Sequence, residues 1–75
     1  MWAEGSIKIG KDIIHYWVKH YDEPSAEYGI NGGRISKLSL KQNGAWVANY
    51  DRGWDMKPTT KAAETALAIL LDEYK

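Results

Sequence analysis

The residue types that could support catalysis or metal binding are poorly spaced in this chain. His15 and His20 lie five residues apart in one apolar run, and an odd separation along a strand points two side chains to opposite faces. We therefore do not expect them to ligate one metal ion together. Asp51 and Asp55 could approach each other, but the segment around them lacks the further oxygen ligands that a hard cation requires. Neither pair predicts a metal site.

Motifs for nucleophilic catalysis and for nucleotide binding are also lacking. The chain has no cysteine, and its serines belong to no nucleophile-elbow sequence. Residues 29–33 have neither the Lys-Ser/Thr ending of a phosphate-binding loop nor the glycine spacing of a dinucleotide-binding turn. We therefore expect a protein that is not an enzyme and that needs no cofactor.

Aromatic and basic residues offer binding chemistry instead. The chain contains four Trp and five Tyr but no Phe, so every aromatic ring carries a polar atom that prefers water or a partner. Ten Lys plus Arg balance ten Asp plus Glu, which argues against a uniformly basic nucleic-acid binder or a polybasic membrane binder. No basic or apolar signal segment follows Met1 and no apolar run has transmembrane length, which predicts a cytoplasmic protein without a membrane partner.

Two hairpins are predicted to position these side chains. Gly10 allows a tight turn in the first hairpin, and Asn43-Gly44 suits a type I′ turn in the second, because that turn needs positive φ at both central residues. Residues 22–33 contain a proline and three glycines and are expected to form one long loop. The four predicted strands are residues 6–9, 13–21, 34–41 and 46–51.

A helix is predicted after Pro58. Thr59 or Thr60 can cap it, and the Ala- and Leu-rich text from Lys61 onward favours helix. Residues at helical spacing form its core stripe: Ala63, Ala66, Leu67, Leu70 and Tyr74. The chain is thus predicted to be a single compact α+β domain over residues 1–75, a four-stranded antiparallel β-meander with one C-terminal amphipathic helix packed on one face.

The register of the second hairpin separates two faces of the sheet. If Asn43-Gly44 is a two-residue loop, it predicts three cross-strand pairs: Lys41 with Trp46, Leu40 with Val47, and Lys37 with Tyr50. The face under the helix then carries the aliphatic residues, namely Ile7, Ile9, Ile14, Val18, Leu38, Leu40 and Val47, together with Tyr16.

The opposite face is the candidate binding surface. Its proposed binding residues are Trp17, Lys19, Lys37, Lys41, Trp46, Tyr50 and Arg52, with His15 and Tyr21 beside them. No Asp or Glu is predicted on it. Three interpretations stay open: cross-strand rings that stiffen an exposed sheet without any ligand, a protein partner or self-association as a homodimer, and nucleic-acid binding by stacking and phosphate contacts.

Two resemblances accompany these patterns. The segments WVKHYDEPS at 17–25, GGRISKL at 32–38 and NYDRGWD at 49–55 resemble a small uncharacterised family of bacterial and phage proteins, which implies a short stand-alone domain and no assigned activity. NGAWVANY at 43–50 followed by TTKAAE at 59–64 is similar to the arm-type DNA-binding domains of phage integrases, which implies DNA contact through a sheet face. Those domains usually place a further basic strand where this chain has the acidic DRGWD, and here the chain departs from their pattern.

Overall fold

A computed structural model describes residues 2–75 and contains one antiparallel sheet and one helix. The strands are β1 (Trp2–Ile9), β2 (Asp12–His20), β3 (Ile35–Gln42), β4 (Ala45–Asp51) and β5 (Trp54–Met56), and the helix is α1 (Lys61–Glu73). The strands lie side by side in chain order, β1-β2-β3-β4-β5, as in a meander. The loop between β2 and β3 contains a short 3-10 turn, Ile30–Gly32. The α+β class and the C-terminal helix are confirmed.

The sheet has five strands, so the predicted number of four was wrong. Arg52 adopts a left-handed conformation with φ of 55°, and the Asp51 amide donates to the Gly53 carbonyl at 2.9 Å. This tight turn reverses the chain directly after β4, so that Trp54 pairs with Tyr50. A left-handed arginine is rare, and no sequence rule assigned the turn to this position.

β1 also begins four residues earlier than predicted, at Trp2. Gly5 lies inside it, where glycine normally weakens a strand. The ring of Tyr16 on β2 covers this glycine so closely that a Cβ at Gly5 would lie 2.6 Å from the Tyr16 hydroxyl oxygen. The aromatic side chain thus supplies the packing that glycine lacks.

The second hairpin turns as predicted and then departs from the predicted register. Positive φ at Asn43 and Gly44 closes the turn, and Lys41 faces Trp46. Leu40, however, faces Ala48, so the predicted pair of Leu40 with Val47 was wrong.

The cause is a β-bulge at Val47, the extra residue in β4. Val47 and Ala48 are both buried, and the Val47 carbonyl accepts a hydrogen bond of 2.9 Å from the Thr59 amide in the segment that leads into α1. The bulge therefore places two consecutive side chains of β4 in the core.

Every residue of β4 beyond the bulge changes face relative to the prediction. Leu38 faces Tyr50, and Lys37 faces Asp51, so the predicted pair of Lys37 with Tyr50 was wrong as well. A second irregularity, at Ser36 in β3, lies between the pairs Lys19–Lys37 and His20–Ile35.

α1 covers one side of the sheet through small residues and one leucine. Thr60 caps it, since its hydroxyl oxygen accepts a bond of 3.1 Å from the Ala63 amide. The fully buried helix residues include Ala63, Ala66 and Leu70, as predicted, whereas Leu67 and Tyr74 are only partly buried. Under them lie the buried strand residues Ile14, Val18, Leu38, Leu40, Val47, Ala48 and Tyr50.

The end of the helix is tied to the long loop. The Arg34 amide donates to the Tyr74 carbonyl at 3.1 Å, and the ring of Tyr74 stacks on His20 at 4.6 Å between centroids. Partial burial raises the pKa of the Tyr74 hydroxyl, and the charge of Glu73 adds to the rise. Across residues 2–75, no helix has the length and apolar character needed to cross a membrane.

Candidate binding face of the sheet

The side of the sheet that α1 leaves uncovered is called the open face here. Its side chains lie in cross-strand rows that begin on β1. Three rows continue to β4 or β5, namely Trp2, Lys19, Lys37 and Asp51; Glu4, Trp17, Ser39, Asn49 and Met56; and Ser6, His15, Lys41 and Trp46. A short fourth row pairs Lys8 with Ile13. The register therefore brings most of the predicted binding residues onto one surface.

Two tryptophans form the centre of the open face. The rings of Trp17 and Trp46 lie 5.4 Å apart between centroids and are tilted by 58°. The Lys41 ammonium lies 4.9 Å from the centroid of the Trp46 ring, within cation–π range. Trp46 is still 50% exposed, so about half of the surface of this residue remains available for contact.

Exposed apolar side chains surround this pair. Trp2 is 59% exposed, Ile13 50% and Met56 39%, and all three lie on the open face with Trp46. Single exposed apolar residues are common on soluble proteins, whereas four of them on one face of a sheet, in addition to the Trp17 ring, favour an interaction site.

A cluster of cations lies along the row of the open face that ends at Asp51, next to the turn between β4 and β5. Lys19, Lys37 and Arg52 line a shallow hollow of about 130 Å³ together with Tyr21 and Ser36. These five residues form the basic hollow. One carboxylate contacts two of its cations: Asp51 Oδ1 lies 3.6 Å from Lys37 Nζ and 3.8 Å from Arg52 Nε.

Tyr50 is the predicted binding residue that does not lie on the open face. The bulge at Val47 turns it to the helix side, where it is 9% exposed. Its hydroxyl donates to the Tyr28 carbonyl at 3.2 Å, and its ring meets Trp54 edge to face at 5.0 Å. Tyr50 is thus a core residue that fastens the long loop.

The prediction of a face without acidic residues was also wrong. The bulge that removes Tyr50 from the open face brings Asp51 onto it, and the longer β1 adds Glu4 opposite Trp17. The open face therefore carries both signs of charge.

Three apolar contributors to the open face were missed by sequence reasoning. Trp2 was missed because β1 was started too late, and Met56 because β5 was not assigned. Ile13 could have been found, since it precedes the buried Ile14 and alternation along β2 points it to the other side.

The histidines lie on opposite sides of the sheet, as their spacing predicts. His15 is on the open face, where its Nδ1 lies 3.0 Å from Ser6 Oγ, and His20 is on the helix side against Tyr74. Among the described residues 2–75, no three His, Asp or Glu side chains are grouped so that they could hold a metal ion.

Comparison with known proteins identifies a family. The model of the family described as "Domain of unknown function (DUF7678)" matches residues 1–75. This confirms the predicted membership of an uncharacterised family of small domains. Neither the curated proteins nor the solved structures contain a significant match to the chain.

Proposed function

The chain belongs to this domain family of unknown function, and we propose that it is a non-enzymatic binding module whose open face binds a partner protein. One observation carries the proposal: the exposed Trp2, Ile13, Trp46 and Met56 share the open face. Burying such side chains against a partner removes apolar area from water, which is the main favourable term in protein association.

Rigidity of the central rings supports the same function. Trp46 lies directly before the bulge at Val47, and its ring contacts the Trp17 ring at 5.4 Å between centroids and the Lys41 ammonium at 4.9 Å. A side chain that is already ordered loses little conformational entropy when a partner covers it. Trp46 is therefore the expected anchor of the interface.

The charges of the open face also favour a protein over a nucleic acid. Asp51 pairs with Lys37 and Arg52, and Glu4 stands beside Trp17, so part of the positive charge is offset within the domain. Mixed charges around an apolar centre are typical of the rim of a protein interface.

Substitution of Trp46 tests the proposal. Trp46→Ala should weaken association by about 2 kcal/mol or more, as is usual for an anchoring tryptophan. The matched control is Ile69→Ala, which removes an exposed apolar side chain from the outer surface of α1 and should leave association unchanged. Sedimentation equilibrium reports whether the partner is a second copy, and cross-linking in cell extract compares the partners of the two variants.

Two results would contradict the proposal. One is a chain that stays monomeric and whose cross-linked partners are the same with and without Trp46. The other is equal loss of association in Trp46→Ala and Ile69→Ala, which would indicate adhesion without a defined site.

Binding of single-stranded nucleic acid is the second candidate function, favoured by the stacking surface of Trp17 and Trp46 beside Lys41. If Lys19, Lys37, Lys41 and Arg52 all contacted phosphates, log affinity would fall against log salt with a slope of roughly −3, at about −0.7 per contact on single strands. A protein interface anchored by rings should show a shallow slope. The cytoplasmic location, the bacterial or phage origin and the integrase likeness stay predictions.

A further inference from the structure

The basic hollow has the composition of an anion site. Its cations come from three parts of the sheet: Lys19 from β2, Lys37 from β3 and Arg52 from the turn between β4 and β5. We propose that the basic hollow binds a phosphate monoester or inorganic phosphate. This inference does not depend on the proposed protein interface, whose anchor Trp46 lies two rows away.

Two lysines of the basic hollow form an unfavourable pair. Lys19 and Lys37 stand directly opposite each other on neighbouring strands, where like charges destabilise a sheet. Solubility of this face does not require lysine on both β2 and β3, since one of the two lysines would supply a charge at this pair. A bound anion between the two ammonium groups would turn the repulsion into attraction.

The backbone of Arg52 adopts a costly conformation. Its φ of 55° lies in the left-handed region, which glycine adopts at lower cost than any residue with a Cβ. Gly53 follows immediately but has no positive φ, so the chain places the costly conformation on the residue with the charged side chain. Backbone strain of this kind is concentrated at binding sites. The Arg52 amide is in turn fixed by a 3.0 Å bond to the Ser36 carbonyl.

The charges around the basic hollow do not cancel. Three cations and the single carboxylate of Asp51 leave a net charge of +2 around the hollow, because 3 − 1 = 2. A phosphate monoester carries about −1.5 to −2 at pH 7, whereas a phosphodiester carries only −1. The hollow therefore matches the monoester. Asp51 acts as an internal competitor that holds Lys37 and Arg52 in place and gives way to the ligand.

The test is a titration of the whole domain with inorganic phosphate, followed by amide resonances in ¹⁵N–¹H spectra. Phosphate should shift the resonances of Ser36, Lys37 and Arg52 to saturation. Sodium chloride at matched ionic strength and dimethyl phosphate, a phosphodiester, should not. Unsaturable shifts that chloride reproduces, or equal affinity for dimethyl phosphate, would overturn the proposal.

Variants give the test a sign as well as a size. Lys37→Gln and Arg52→Gln should each weaken phosphate binding roughly three- to tenfold, the range expected for a partly exposed charged contact. Asp51→Asn should tighten it roughly two- to fivefold, because the competitor loses its charge.

The matched control is Lys41→Gln. Lys41 lies on the same strand as Lys37 but four residues away, about 13 Å at 3.3 Å per residue, and should change the affinity less than about twofold. Equal weakening in Lys37→Gln and Lys41→Gln, or weaker binding in Asp51→Asn, would overturn the site. Arg52→Gly keeps the turn without its strain, so it should fold and still lose affinity as Arg52→Gln does. Binding that survives in both Arg52 variants would contradict the proposal.

Discussion

Replacing Leu70 by alanine should destabilise the domain strongly, because the core is a single layer between one helix and one sheet face. Leu70 is fully buried at 0% exposure, and the fully buried residues that precede it in the helix stripe are Ala63 and Ala66. Alanines cannot expand into the space that a lost leucine leaves. Removing a buried leucine costs about 2 to 5 kcal/mol, depending on how far the surroundings collapse.

We expect a loss of about 3 kcal/mol, near the middle of that range, because Leu70 is fully buried and its alanine neighbours leave most of the cavity unfilled. In a domain of this size each kcal/mol lowers the melting temperature by about 4 to 8 °C, so the shift should be about 12 to 24 °C. Total stability of about 5 to 15 kcal/mol leaves the variant folded or close to its threshold.

The assay is urea denaturation followed by tryptophan fluorescence, with calorimetry for the melting temperature. Ile69→Ala is the control, since this neighbour is 43% exposed and its loss should cost less than about 1 kcal/mol. If the two variants lose equal stability, Leu70 does not sit in the core and the packing of α1 described above is incorrect.

Two further substitutions test the local geometry. Gly5→Ala should cost about 1 to 3 kcal/mol in urea denaturation, because the new Cβ would lie 2.6 Å from the Tyr16 hydroxyl oxygen, and the cost should shrink in a Tyr16→Leu background. Thr60→Ala should cost about 1 kcal/mol in the same assay, since it removes the bond to the Ala63 amide. Thr65→Ala, within the same helix, should be neutral or slightly stabilising, and a larger loss there than at Thr60 would contradict the capping assignment.

The parts of the fold that local chemistry decides were predictable. Asn43-Gly44 demands a type I′ turn, so the second hairpin and the pair of Lys41 with Trp46 follow directly. The helix start was predictable for the same reason, because a Thr hydroxyl after Pro58 and before an Ala-rich run favours an N-cap. These features depend on a few neighbouring residues only.

The bulge at Val47 was not predictable, because it depends on a partner distant in sequence. Trp46-Val47-Ala48 reads as ordinary strand, and no glycine marks the extra residue. What accompanies the bulge is the bond from the Thr59 amide to the Val47 carbonyl, together with the burial of both Val47 and Ala48. Within β4, strict alternation therefore held at Trp46 and failed after Val47.

The bulge at Val47 explains why the candidate site was predicted in part. The predicted residues that precede Val47 in the chain lie on the open face as expected. They are Trp17, Lys19, Lys37, Lys41 and Trp46.

Tyr50 follows the bulge and is buried, and Asp51 takes its place on the open face. The exchange changes the electrostatics as well as the shape, since the predicted uniformly basic and aromatic face becomes an aromatic centre with a basic hollow whose cations contact the Asp51 carboxylate. A face of the predicted kind would favour nucleic acid through every cation at once. The observed one separates the two properties, so that rings and cations can be tested independently by Trp46→Ala and Arg52→Gln.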